Sequence, residues 1–210
     1  MASAARPAHK ANGRRDLTDI AIDCFARFGY QATSIDRIAK AAGLTKGALY
    51  YHFKDKEDLL FAAVKDRVSQ FERRVTEDLL PIRDAVHALE RVTQVCVEHA
   101  TMSNHRRFIV TLMVEALENN PRLSAQFRAM MHRFRTFLRA IIEFGQQQGV
   151  FRADVNAVTA AGVYAGAVMG AEIEYYQDPE AIDLSGTLGS FLEQYLAWLR
   201  APTERAARRR

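Results

Sequence analysis

Only two cysteines, Cys24 and Cys96, occur in the 210 residues. Two cannot build a disulfide framework. Both fall in helical apolar stripes, so they are expected as small core residues of a chain in a reducing cytoplasm, not as a bridge or a nucleophile. Alternating apolar and polar residues over a useful strand length are missing throughout, which argues against any sheet-based fold. There is no glycine-rich phosphate loop and no GxSxG, so nothing points to phosphoryl transfer or serine hydrolysis, and no cofactor is expected. The N-terminus is basic and alanine-rich without an apolar segment, and no signal peptide is expected. The most apolar stretch is bounded by Asn156 and Glu172, shorter than the roughly 20 residues a bilayer span needs, so no membrane partner is expected.

What is present is helical periodicity and an uneven charge. At 49 % hydrophobic the chain can bury a full core, as one large domain or as a small one beside a larger one. Residues 1–60 hold 10 Lys+Arg against 7 Asp+Glu, residues 61–200 hold 15 against 17, and the last ten hold 4 against 1. The basic excess sits at the N-terminal end, where it could meet phosphate.

The stretch from Thr33 to Lys56, TSIDRIAKAAGLTKGALYYHFKDK, carries the most information. Thr33 and Asp36 stand in capping-box spacing, which starts a helix running to Ala42. Its stripe is Ile35, Ile38, Ala39 and Ala42, and the small Ala39 lets a second helix cross closely. Gly43 is the turn, where positive φ is expected, and Thr45 can cap the second helix. Leu49 and Phe53 anchor that helix inward, leaving Lys46, Gly47, Ala48, Tyr50 and Tyr51 toward solvent or a partner. An exposed aromatic pair beside a lysine has little reason to exist on a plain helical hairpin. This is helix-turn-helix spacing.

The pattern TxxxxIAxxAGLTKGALYYHFKDKEDLL resembles the DNA-binding signature of the tetracycline-repressor (TetR) family of transcriptional regulators. The resemblance covers about the first quarter of the chain; beyond it the likeness lies in length and helical layout. It implies a second helix entering the major groove of a double-stranded DNA operator. Thr33, Ser34, Thr45, Lys46, Gly47, Ala48, Tyr50, Tyr51, His52 and Lys56 are then the expected DNA-facing set, with Lys46 toward a guanine edge or phosphate, Tyr50 toward bases and Tyr51, His52 and Lys56 toward phosphates.

The layout expected around this motif is all-α, with about nine helices and no internal repeat. Residues 1–13 are expected as a disordered basic arm, 14–60 as the reader, 81–200 as a larger ligand-binding and dimerisation domain, and 201–210 as a basic tail. Within the reader, Asp16 to Phe28 is amphipathic, with Leu17, Ile20, Ala21, Cys24, Phe25 and Phe28 on one face and Gly29 at its end. Asp55 caps a helix with the stripe Leu60, Val64, Val68, Phe71 and Val75 that continues to Leu79, links the two domains and ends at Pro81. Further helices are expected from Ile82 to about Ala100, Asn104 to Glu118, Leu123 to Gln148 (inward Leu123, Phe127, Met131, Phe134, Leu138, Ile141 and Ile142), Asp154 to Gln177, and from the cap Asp183 onward.

Gly162, Gly166 and Gly170 recur every four residues on one helix face. Each costs about 1 kcal/mol relative to alanine, so three in register suggest close approach of another helix. The last helix carries Leu184, Leu188, Phe191, Leu192, Tyr195 and Leu199 as one stripe. The family resemblance implies that these two helices pair with those of a second copy in a four-helix bundle. The expected homodimer interface is Gly162, Gly166, Gly170, Leu188, Phe191, Leu192 and Tyr195, setting two readers about 34–36 Å apart on DNA or modestly farther.

Glu115 and Glu172 lie in apolar helices, where a carboxylate must find a donor or change its pKa. They are candidates for the polar end of a small-molecule pocket with Phe108, Leu112, Phe134, Tyr164 and Val168, and an intramolecular Arg or Tyr partner is the other reading. The aromatic and methionine content suggests an apolar or amphipathic effector, acyl or aromatic; the same residues would also make an ordinary core. Cys96, His99 and His105 lack a recognised metal-site spacing, and no metal is expected. The function expected is a ligand-responsive repressor that is not an enzyme. An enzyme or carrier with a vestigial reader, or a DNA-binding regulator without a small ligand, remain the alternatives.

Overall fold

The computed structural model describes residues 13–200; the expected arm up to residue 12 and the expected tail lie outside the described residues. Nine helices occur among those residues: α1 (Arg14–Phe28), α2 (Ile35–Ala41), α3 (Lys46–His52), α4 (Lys56–Leu79), α5 (Ala85–Met102), α6 (Asn104–Asn119), α7 (Pro121–Gln147), α8 (Ala157–Gln177) and α9 (Leu184–Leu199). Their ends follow local chemistry. Side chains of Ser34, Thr45, Asp84, Asn156 and Asp183 each accept a backbone N–H at a helix start. Asp55 Oδ1 accepts the Asp58 N–H at 2.8 Å while Asp58 Oδ2 accepts the Lys54 N–H at 3.2 Å, a reciprocal cap at the head of α4. Asn120 caps α7 ahead of Pro121, whose missing N–H costs nothing in a first turn.

One cap and one helix start differ from the sequence reading. Ser34, not Thr33, caps α2, because Thr33 Oγ1 is turned inward and donates to the Gly29 carbonyl at 2.7 Å. Asn156, not Asp154, starts α8, because Asp154 is held by the Arg152 guanidinium at 2.6 Å.

The chain divides into two compact units, and the division does not fall at Pro81. The first unit comprises residues up to Glu72 together with Asn104–Leu123; the second comprises Arg73–Ser103 and the chain from Ser124. The helix α6 joins the first unit because it packs against α1: Phe108 stacks on Phe25 at 6.2 Å, and His105 is hydrogen-bonded to Asp23. Sequence periodicity showed a helix there but not which helix it would meet.

The core of the first unit is Leu17, Ile22, Phe25, Ile38, Leu49, Phe53, Leu59, Leu60, Val64 and Ile109. Phe28, expected inward on α1, is instead exposed, and Ile22 takes the inward place. In the second unit α5, α8 and α9 pack together. Their centre is Tyr164, fully buried, whose hydroxyl meets Thr93 Oγ1 at 2.5 Å and donates to the Leu89 carbonyl at 3.3 Å. Phe191 and Tyr195 pack edge-on to it at 5.7 and 5.6 Å, and the Tyr195 hydroxyl donates to the Ala160 carbonyl at 2.8 Å. Among the described residues no helix is long and apolar enough to cross a membrane.

The buried tyrosine gives the second unit an alkaline limit. Burial raises the Tyr164 phenol well above its ordinary value of 10.0, because a phenolate there would lose its water. The unfolded chain ionises this group near pH 10 and the folded chain does not. Stability present below pH 10 is therefore lost as pH rises, by about 1.4 kcal/mol per unit for this one group. Urea unfolding followed between pH 10 and 11 is expected to show a shallower loss for Tyr164→Phe than for the unaltered chain.

Candidate nucleic-acid interface

The reader is built by a seven-residue helix with one face committed to the core and the other left bare. Leu49 and Phe53 are buried on the inner side of α3. At 47 % and 86 % exposed, Tyr50 and Tyr51 stand on the other side with Lys46 and Gly47. Ala48 and His52 are half-buried at the edges, and the His52 ring meets Tyr51 edge-on at 5.2 Å. The turn before α3 is fixed by Gly43 at φ 66°, with the Gly43 N–H donating to the Lys40 carbonyl and the Leu44 N–H to the Ala39 carbonyl at 2.9 Å. This closure of α2 sets the angle at which α3 departs. A Cβ built on Gly47 would meet only Thr45 Oγ1, at 4.0 Å, so nothing within the chain demands glycine there.

Several cations of the first unit are steadied on aromatic rings. Arg37 lies over Phe28 at 4.3 Å, with Arg27 over the same ring at 5.2 Å, which explains why Phe28 stays outside the core. Arg14 lies over Phe53 at 4.8 Å. Lys56 lies over Tyr30 at 4.3 Å and its Nζ donates to the Tyr30 carbonyl at 3.0 Å, so this side chain arrives already oriented. Lys46 Nζ sits 3.2 Å from Asp36 Oδ2. Arg27, Arg37 and Asp36 were not in the set read from the sequence; the partners of Arg37 and Asp36 lie on other helices, at spacings that periodicity does not reveal.

Of the expected DNA-facing residues, Ser34, Thr45, Lys46, Gly47, Tyr50 and Tyr51 are exposed, and Ala48, His52 and Lys56 are half-buried. Thr33 leaves the set: it is 0 % exposed, and its hydroxyl is spent on the Gly29 and Cys24 carbonyls. Burial, and then the Asp23 carboxylate, push the Cys24 thiol above its ordinary value, as suits a core residue.

The expected pocket residues are divided between the two units. Phe108, Leu112 and Glu115 belong to the first unit, where Leu112 is core and Glu115 is exposed, not set in an apolar interior. The second unit holds Phe134, Tyr164, Val168 and Glu172. Of these, Val168 and Glu172 are buried, and Tyr164 is satisfied by Thr93 and Leu89. The expected dimer residues split as well. On α8, a Cβ built at Gly162, Gly166 or Gly170 meets nothing within 4 Å, so that face is open. On α9, Leu188, Leu192 and Tyr195 are buried within their own unit and so are not available to a second copy, whereas Phe191 is half-buried and Trp198 is exposed.

Known proteins agree with this architecture. Residues 17–63 match the family described as bacterial regulatory proteins, tetR family, and residues 86–168 match the tetracyclin repressor-like C-terminal domain. The fatty acid metabolism regulator protein of Bacillus subtilis is 27 % identical over 179 residues, 84 % of this chain and 90 % of that protein. A TetR transcriptional regulator from Chloroflexus aurantiacus superposes with a TM-score of 0.80 at 24 % identity, over 90 % of this chain and 96 % of that one. The transcriptional regulator FadR from Bacillus subtilis, solved in complex with stearoyl-CoA, superposes with a TM-score of 0.75 at 23 % identity, over 88 % of this chain and 98 % of that one. The two family matches together span more than half of the chain, and it belongs to the tetracycline-repressor (TetR) family of bacterial regulatory proteins, as a DNA-binding transcriptional regulator.

Proposed function

We propose that the protein is a cytoplasmic, homodimeric repressor that binds a pseudo-palindromic operator and leaves it when an amphipathic small molecule binds. The observation that carries the reading is the bare face of α3: Lys46, Gly47, Tyr50 and Tyr51 stand outward on a helix held rigidly by Leu49 and Phe53. Lys46 and Tyr50 are assigned to base edges, and Tyr51, His52 and Lys56 to phosphates. Operator selection from a randomised duplex pool tests the assignment. Lys56→Ala is expected to weaken every duplex similarly and to flatten the salt slope by about 1, whereas Tyr50→Ala also relaxes sequence preference. Equal loss of discrimination from both changes would count against these roles.

The open face of α8 supports a two-fold interface through Gly162, Gly166 and Gly170, joined by Phe191 and Trp198 of α9. A helix-interior glycine is unfavourable on its own, and the chain's own packing does not require these three. A second copy approaching that face supplies a reason for them. For Gly166→Leu, sedimentation is expected to show less dimer and titration a lower operator affinity, with helix content unchanged.

The effector is assigned to the second unit, on the side of Phe134, Val168 and Glu172. An acyl compound is the favoured class, because a Bacillus subtilis relative spanning most of the chain is named a fatty acid metabolism regulator protein and FadR of that organism was solved in complex with stearoyl-CoA. A ligand changes DNA affinity only by its differential affinity for two states, so it must act on an element shared with the reader. The helix α4 is continuous from Lys56 to Leu79, and its last residues are held in the second unit. There Arg91 bonds Asp78 at 2.6 Å and Glu98 at 3.0 Å, and Arg74 pairs with the same two carboxylates. Calorimetry with a long-chain acyl-CoA, with and without operator, is expected to show reciprocal weakening of about 5- to 150-fold. Identical affinities in the two titrations would leave a regulator not switched by this ligand.

A further inference from the structure

The ion pair between α2 and α3 has no structural duty. Asp36 does not cap α2, since Ser34 Oγ accepts the Arg37 N–H at 3.1 Å. Its carboxylate and the Lys46 ammonium are 66 % and 52 % exposed, and a pair so solvated contributes little to the fold. A first-turn acid is mildly favourable to the helix, but a glutamate or a free aspartate would serve equally. Between Thr33 and Lys54, Asp36 is the lone acid among Arg37, Lys40, Lys46 and Lys54. It also stands against the cation that begins the DNA-facing helix.

We propose that Asp36 is a specificity-determining residue: it occupies Lys46 on arbitrary duplex and releases it only where a cytosine amino group takes the carboxylate. The inference rests on α3 being the DNA reader. On arbitrary sequence, a phosphate that draws Lys46 away leaves a carboxylate next to the polyanion, so the attraction of the ammonium is opposed by a repulsion. Cytosine N4 presents a major-groove donor that Asp accepts from. Where that donor lies within reach, the carboxylate is satisfied and Lys46 is free for a phosphate or a guanine edge. The pair thus converts a nonspecific attraction into one conditional on sequence. Discrimination of this kind comes from penalising the wrong partner as much as from favouring the right one.

Asp36→Asn keeps the shape and removes the charge. In the full chain it is expected to bind a mixed-sequence duplex about 2- to 5-fold more tightly. The slope of log affinity against log salt should steepen by about 0.9, one more phosphate neutralised. Selection from a randomised pool of duplexes about 30 base pairs long, enough for two half-sites with flanks, should return a cytosine in each half-site for the unaltered chain and lose it for Asp36→Asn. In a Lys46→Met background the tighter nonspecific binding and steeper slope should vanish. The idea is overturned if Asp36→Asn tightens binding equally without Lys46, which would make it a general charge effect, or if the selected sequences do not change. An unaltered chain that selects no duplex at all would overturn the DNA-reading assignment itself, and this inference with it. Circular dichroism and thermal midpoints of each variant confirm that all of them fold.

Discussion

Leu49 is the contact on which the reader depends. With Phe53 it drives the inner face of a two-turn helix into the core formed by α1, α2 and the head of α4. Two turns are too few to hold a helix in water, so α3 exists because those side chains are buried and because Thr45 and Gly43 set its start. The outer face is then released from any structural task. It can carry two tyrosines and a glycine that would be liabilities on an ordinary surface. Rigidity on one side and freedom on the other are what a groove-reading helix needs, since its side chains must be presented in a fixed frame.

Much of this was legible in the sequence, because short-range chemistry wrote it. The stripe Ile35, Ile38, Ala39 and Ala42, the turn at Gly43, and the anchors Leu49 and Phe53 are all spaced by helical geometry, and the structure places them as the spacing implies. The caps Thr45, Asp55 and Asp183 were readable for the same reason. Thr33 against Ser34 was not: two neighbouring hydroxyls can each cap, and only the inward carbonyls of Gly29 and Cys24 decide which one turns away. Long-range choices were hidden too. Nothing in the period of α6 says that it will lie on α1, and so Phe108, Leu112 and Glu115 fell in the other unit from Tyr164 and Glu172.

The glycines separate two kinds of information. Gly145 is demanded by the fold, since a Cβ there would run into the Phe151 ring. Gly47, Gly162, Gly166 and Gly170 are not, for a Cβ at any of them would find space. A glycine in a helix interior is unfavourable in itself, and at these four the chain supplies no compensating contact. The same test sorts the aromatic residues of the last helix. Tyr195 is explained by Tyr164 and the Ala160 carbonyl, whereas Trp198, half open at the far end of that ring cluster, is explained only in part by its contact with Tyr195.

Electrostatics follow the same division between internal and external purpose. Around the end of α4, Arg74, Asp78, Arg91 and Glu98 share partners, so that each carboxylate meets two guanidiniums. Fixing one side chain in such a ring lowers the entropy lost by the next, and a network can hold where a single exposed pair would not. Asp36 and Lys46 are the opposite case: one pair, both ends in water, no third member to steady it. A contact that weak cannot be there to hold α2 to α3, a task already done by Ile38, Ala39 and Leu49 in the core. Its weakness is what lets it be exchanged, and an exchangeable charge at the head of α3 is useful only if something else competes for it.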